Sequence, residues 1–230
     1  MDIIYRAKLH LNLLRYKIFK KSLYYSKNRE DLFLYNYFKN KSNGTYIDIG
    51  AYHPYRSSNT YLLYRKGWRG INIDLSKTSI DLFNIARPKD INLNFAVADK
   101  KKKKKIKTYE SKSLGLMNTI NPFFASIFLK KYYSRKVKAD NLNNLLKKYS
   151  KKINKFDLID IDAEGSDYNI LKNINFKKYS FKLILVETHE FNTRVKAEKR
   201  KIHTFLKSKK YNCLKELHET SVFENTRWKN

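Results

Sequence analysis

Short, nearly unbroken apolar runs recur along the chain, and most close on an acid or a glycine. "TYIDIG" (45–50), "WRGINID" (68–74), "INLNFAVAD" (91–99), "KFDLIDIDAEG" (155–165) and "FKLILVETHE" (181–190) have the length and composition of buried strands. Segments with helical spacing lie between them. "NTYLLYRKG" predicts a helix capped by Ser58 or Asn59 and stopped at Gly67, and "KTSIDLFNIAR" one ended by Arg87 and Pro88. "ADNLNNLLKKYS", "SDYNILKNINF" and a stretch near 195–209 predict further helices, and "YNCLKEL" with "TSVFENT" predicts a closing antiparallel pair. Strands alternating with helices specify an α/β fold, a mostly parallel central sheet joined by right-handed crossovers, with an antiparallel C-terminal strand pair.

Two regions depart from that rhythm. Residues 1–40 read as a basic, amphipathic helical segment, with Ile3, Ile4, Leu9, Leu11, Leu13 and Leu14 set among charges. Such a segment either packs against the body or serves as a membrane-surface or partner-binding arm. After a strand at "KIKTYES", the stretch at about 110–136, interrupted by Gly115 and Pro122, reads as an irregular insertion placed to shape an acceptor pocket. There is no internal repeat and no linker, so residues 41–230 are expected to form one domain.

Composition narrows the classes. Lone Cys213 leaves no internal disulfide and no multi-cysteine zinc site, which fits a reducing compartment. No apolar run is long enough to span a membrane, and Arg6, Lys8, Arg15 and Lys17 spoil the N-terminus as a secretion signal, so a cytoplasmic location is expected. The net charge of +29 would ordinarily point to nucleic acid or an anionic membrane. The lysines are spread along the whole chain, however, amid the Asn, Ile, Tyr and Phe that AT-rich codons favour, and the run Lys100–Lys105 suits a solvated turn between strands.

The strand ends carry the chemistry. Ligands of open parallel sheets lie beyond the carboxyl ends of the strands, where strand order reverses. This chain places Asp48 and Gly50, Asp74, Asp162 and Glu164, and Glu187 and His189 at those ends. One such acid would cap a helix; four strands loaded together point to a ligand. Asp74 follows Gly50 by 24 residues, an offset suited to an acid that accepts from ribose hydroxyls. The intervening turn, Ala51-Tyr52-His53-Pro54, has no second glycine, and Pro54 has no amide hydrogen, which argues against a pyrophosphate cradle. S-adenosylmethionine has a ribose, no phosphate and a cationic sulfur, so acids around it make physical sense.

The ordered set "DIGA", "SNTY", "GWRGINID" and "IDAEG", with "NREDLFLYNYF" before it, resembles the FkbM-type S-adenosylmethionine-dependent methyltransferases over roughly residues 25–225. The resemblance implies a Rossmann-like class I methyltransferase fold and transfer to an oxygen, commonly of a sugar or glycan precursor. It also implies that Asp48, Gly50, Ala51 and Tyr52 form the turn near the methionine tail and that Asn59 anchors that loop. Asp74 and Leu75 would border the ribose, Ala96 and Val97 the adenine, and Asp162 and Glu164 the transferred methyl group. His53-Pro54, where many relatives have Asn-x-Gly, and the "LS" after Asp74 depart from the pattern.

Several alternatives stand beside this reading. His189 is a candidate general base or metal ligand, or a polar strand-end residue. Asp162, Glu164 and Glu187 could together hold Mg²⁺ through oxygen ligands, leaving coordination sites for adjacent sugar hydroxyls, or could orient helix ends. Lysines interleaved with tyrosines, as in "LKKYYSRK", raise an RNA-binding protein or RNA methyltransferase. "DID" at 160–162 resembles the D-x-D of metal-dependent glycosyltransferases. Two carboxylates as close as Asp162 and Glu164 also require a nearby cation, whether a sulfonium, Mg²⁺ or a lysine.

Overall fold

Among the residues described by the computed structural model (3–19, 23–98, 105–111, 118–129, 131–150, 153–188 and 193–229), eighteen elements follow in chain order. The first half contains α1 (Ile3–Phe19), α2 (Glu30–Tyr37), β1 (Thr45–Ile49), α3 (Tyr61–Arg65), β2 (Arg69–Asp74), α4 (Lys77–Ala86), β3 (Ile91–Asn94), β4 (Ala96–Val97) and β5 (Lys105–Ser111). The second contains α5 (Pro122–Phe128), β6 (Tyr132–Asp140), α6 (Leu142–Tyr149), β7 (Lys155–Ile161), α7 (Asp167–Lys172), β8 (Ser180–Glu187), α8 (Thr193–Ser208), β9 (Tyr211–Leu217) and β10 (Thr220–Asn225).

The main sheet has the order β3-β2-β1-β7-β8-β10-β9. β1 pairs in parallel with both β2 and β7, and β10 runs antiparallel to β8 and β9. This is the expected α/β architecture with an antiparallel C-terminal pair. Strand order reverses between β1 and β7, where a crevice must open. The alternation along the strands fixes which side chains face which layer. Ile47, Ile49, Ile71, Ile73, Ile159 and Ile161 enter the core shared with α6, α7 and α8. Tyr46 and Leu158 enter the opposite layer with Leu34, Leu63 and Trp68. A one-residue slip of β1 would exchange Ile47 and Ile49 for Asp48, so the register is set by burial.

The structure adds detail to the N-terminal segment and corrects three expectations. The segment read as helical over 1–40 contains two helices, α1 and α2: the Asp31 carboxylate accepts from the Tyr25 amide at 2.6 Å and the Ser26 hydroxyl at 2.7 Å, and Arg29 turns into left-handed backbone before α2. The third strand divides, because β3 belongs to the main sheet whereas β4 joins a second sheet ordered β4-β6-β5. In that second sheet β5 is the strand expected at "KIKTYES", and the stretch read as irregular instead holds α5, capped by the Asn121 side chain, and the start of β6. Ser58 and Asn59 do not cap α3, which begins at Tyr61; their side chains bond Arg87 and Asp160 instead. Of the lysine run, residues 100–104 lie outside the described residues.

Candidate active site

At the reversal point, β1 and β7 part with their ends still touching. The Asp162 amide donates to the Ile49 carbonyl at 2.9 Å, and the Gly50 amide to the Ile73 carbonyl at 2.9 Å. The chain turns back over this junction, with Gly50 at φ +82° and Tyr52 and Ser57 also at positive φ. The cavity that results has a volume of about 370 Å³. Strand order sorts its walls. Gly50, Tyr52, Asn59, Asp74, Leu75, Phe95 and Val97 lie on the β1–β2 side, and Asp162, Glu164, Glu187, Glu219 and Thr220 on the β7–β8–β10 side.

On the first side, Asp74 holds the turn. One carboxylate oxygen accepts from the Tyr52 amide at 2.8 Å and the other from the Ser76 amide at 2.6 Å. A carboxylate has about four acceptor positions, so two remain to face the cavity. Burial raises Asp74 to about 6 against the stabilising pull of those amides. Leu75 and Val97 line this wall, together with Phe95, which sequence reading passed over.

Beneath the turn lies a polar layer inside the protein. Thr60 donates to Asp48 at 2.7 Å and accepts from Arg87 at 2.9 Å. Arg87, fully buried, also reaches Ser58 at 2.8 Å and the Pro54 carbonyl, and it packs against the rings of Tyr61, Tyr64 and Phe83. Asn59 donates to Asp160 at 2.9 Å. His53 accepts at Nδ1 from the Tyr55 and Arg56 amides, leaving Nε2 to donate to Asn12, and burial lowers it to about 3. Asp48, Ala51 and Ala96 are buried outside the cavity lining, so the structure does not bring these three expected cofactor contacts to its surface. Asp160 is engaged below by Asn59 and Asp162 faces the cavity, so the "DID" pair does not form one metal cradle.

The second side is rich in acids. Asp162 and Glu187 are linked by a hydrogen bond, and burial pushes both well above the usual carboxylate range, so the pair holds a shared proton. Asp162 Oδ1 is buried without a hydrogen-bond partner. Glu164 is 9% exposed and sits at φ +49°, and its carboxyl has no hydrogen-bond or ion-pair partner among the described residues. Burial first, then the charges of Asp162 and Asp167, raise it to about 10. The loop carrying it is fixed from both sides: Asp167 accepts from the Ala163 and Gly165 amides at 2.7 and 3.1 Å, and Thr119 donates to the Glu164 carbonyl at 2.8 Å. Ligand atoms of Asp162, Glu164 and Glu187 lie within 4.8 Å of one another. His189 lies outside the described residues.

Sequence reading missed several lining residues. Lys27, Asn28 and Glu30 arrive from the segment before and into α2, and Lys27 pairs with Glu219 in the β9–β10 turn. Asn118, Ile120, Phe124 and Phe128 come from the 110–136 stretch, which therefore walls the cavity. Lys27 had no distinguishing signal among 50 basic residues, and Glu219 became visible only through the pairing of Thr220 with Glu187.

A family profile described as Methyltransferase FkbM domain matches residues 48–213, most of the chain. No curated protein matches the chain in sequence. Among solved structures, the O-methyltransferase from Bacillus cereus in complex with SAH is 11% identical, with 95% of this chain and 90% of that one covered and a TM-score of 0.49. A putative O-methyltransferase from Klebsiella pneumoniae is 12% identical, with 98% and 91% covered and a TM-score of 0.49. Both scores fall below 0.5, and neither likeness bears on the residues of the site.

Proposed function

Since the chain belongs to the FkbM family of methyltransferases and is thus an S-adenosylmethionine-dependent enzyme, we propose that it methylates a hydroxyl oxygen of a carbohydrate-like acceptor held in this cavity. The observation that carries the reading is Glu164, a buried carboxyl with no partner among the described residues, held in left-handed backbone at the cavity wall. Buried polar groups are otherwise satisfied, so one left open toward a cavity is placed to meet a ligand.

The cofactor supplies an electrophilic methyl group on a cationic sulfur. The residues present suit it: Gly50 admits close approach of the methionine tail, Asp74 offers acceptors to the ribose hydroxyls, and Leu75, Phe95 and Val97 give an apolar wall for the adenine. Burial holds Glu164 protonated at neutral pH, and a positive charge beside it favours ionisation. So ionised, Glu164 would take the proton of the acceptor hydroxyl as that oxygen gains the methyl group, the sulfur–methyl bond breaks and the sulfur leaves as a neutral thioether. Alignment of donor and acceptor supplies the rest of the rate.

Asn118, Asp162 and Glu164 offer hydrogen-bonding groups, and Phe124 and Phe128 offer ring faces, a combination suited to the hydroxyls and C–H faces of a sugar. Among the described residues, six acids line the cavity (Glu30, Asp74, Asp162, Glu164, Glu187 and Glu219) against one cation, Lys27. With Glu164 protonated, one proton shared by Asp162 and Glu187, and Lys27 paired with Glu219, ionised Asp74 and the remaining charge of the Asp162–Glu187 pair still leave the wall net negative, which disfavours a phosphate-bearing acceptor such as RNA despite the net charge of +29.

A second reading adds Mg²⁺. The oxygen donors of Asp162, Glu164 and Glu187 fit a hard divalent cation, which would position two adjacent hydroxyls of the acceptor. Calorimetry with Mg²⁺ alone, on wild type and Glu187→Gln, tests it; no heat of binding removes the metal.

The main reading is tested with methyl-labelled cofactor offered separately with glycans and RNA. Label appearing as a methyl ether on carbohydrate supports it, and label confined to RNA overturns it. Failure of S-adenosylhomocysteine to bind would remove the cofactor assignment itself.

A further inference from the structure

The cavity does not account for α1. This helix has two apolar faces: one is buried among the described residues and the other is exposed. On the inner face Leu9 and Leu13 are buried with Leu82 of α4. The Tyr5 hydroxyl donates to Asp81 at 3.0 Å, and Asn12 accepts from His53 at 2.8 Å. The outer face carries Ile4, Leu11 and Leu14, which are 63%, 65% and 48% exposed, with exposed Ala7 between them. Positions 4, 7, 11 and 14 follow one another by three and four residues, which aligns them in a single stripe along the helix. Exposed Arg6, Lys8 and Arg15 flank that stripe, and Ile3–Phe19 contains no acid.

We infer that the outer face of α1 is a docking surface for an anionic lipid bilayer, with the helix lying in the plane of the interface. An apolar stripe edged by lysine and arginine is the pattern of an interfacial helix: the apolar side chains enter the acyl boundary and the basic heads reach back to the lipid phosphates. No helix among the described residues is long and apolar enough to cross a membrane, and 17 residues lying flat do not need to be. A second copy of the chain is the poorer occupant, because two such faces would bring like charges together without an acid to offset them. The basic residues flanking the stripe add to the attraction, which falls off within a Debye length of the anionic surface. The inner face remains seated while the outer face binds, so docking requires no unfolding of α1.

Co-sedimentation of the full chain with vesicles tests this. Wild type is expected to bind phosphatidylcholine vesicles containing phosphatidylglycerol, to bind pure phosphatidylcholine far less, and to weaken with added salt. The Ile4→Ser, Leu11→Ser, Leu14→Ser triple variant leaves every charge in place. It should bind the anionic vesicles at least tenfold more weakly while keeping the wild-type melting temperature and cofactor affinity. If the triple variant binds as wild type does, charge alone is responsible and the inference fails; it fails equally if wild type does not bind anionic vesicles. Should the triple variant lose its melting transition, single Leu11→Ser carries the same comparison.

Discussion

A Cβ on Gly50 would lie 1.8 Å from the carbonyl oxygen of Asp162. The ends of β1 and β7 are therefore as close as two backbones can come, and the floor of the cavity is the contact between them. Gly50 also has φ +82°, a conformation that side chains disfavour. Gly50→Ala should cost roughly 3 kcal/mol or more of stability, because backbone rather than a flexible side chain must move. A urea titration reads the loss, and calorimetry should show that S-adenosylhomocysteine no longer binds. A variant with an unchanged urea midpoint would mean that the junction yields easily.

Asp74 should make cofactor binding depend on pH. Its folded-state pKa is raised by burial from 3.8 to about 6. Above pH 6 it is ionised and accepts hydrogen bonds with both oxygens; as pH falls through about 6 it takes up a proton and loses acceptor capacity. Affinity for S-adenosylhomocysteine should therefore drop below about pH 6, and Asp74→Ala should weaken it at every pH. Stability runs in the other direction for this group. The folded state binds a proton more readily than the unfolded chain, so the destabilisation from burying the ionised carboxylate is relieved as pH falls from about 6 toward 3.8.

Glu164 provides a test by proton counting. Raised to about 10, it is protonated in the free enzyme at neutral pH. S-adenosylmethionine is cationic at sulfur and S-adenosylhomocysteine is not, so the first should release a proton on binding and the second should not. Calorimetry in buffers of different ionisation enthalpy measures this directly. Glu164→Gln should abolish both the proton release and methyl transfer, with S-adenosylhomocysteine affinity within about tenfold of wild type, or ~1.4 kcal/mol. Normal turnover by the variant would reassign Glu164 to a structural role.

Arg87 lies outside the cavity yet holds up its turn. Arg87→Met would leave Thr60, Ser58 and the Pro54 carbonyl without their shared donor, and it would remove the positive charge that restrains the pKa of buried Asp48. Breaking a buried polar network of this kind costs roughly 3 kcal/mol. Thermal denaturation should show the loss, together with weaker S-adenosylhomocysteine binding. A variant of wild-type stability would show that the turn is held by its backbone alone.

The sequence by itself determined the strands of the main sheet, the antiparallel C-terminal pair and the acids at the strand ends. Those features follow from local physics: Ile47, Ile49, Ile159 and Ile161 must be buried, Asp48 and Asp160 alternate with them, and Gly50 and Gly165 mark where regular structure ends. Only the tertiary structure decided which of those acids meet the cavity. Asp48 and Asp162 look alike as strand-end acids, but the first lies within β1 and faces Thr60, whereas the second lies one residue past β7 and opens outward. Tertiary packing likewise recruited Ser58 and Asn59 away from the helix cap their residue types suit, because Arg87 and Asp160 are buried and require polar partners. Lys27 and Glu219 stand 192 positions apart, and they meet because β10 enters the sheet beside β8 and delivers its hairpin turn to the cavity rim. Strand order depends on long-range burial summed over the whole sheet, and no short stretch of sequence encodes that sum.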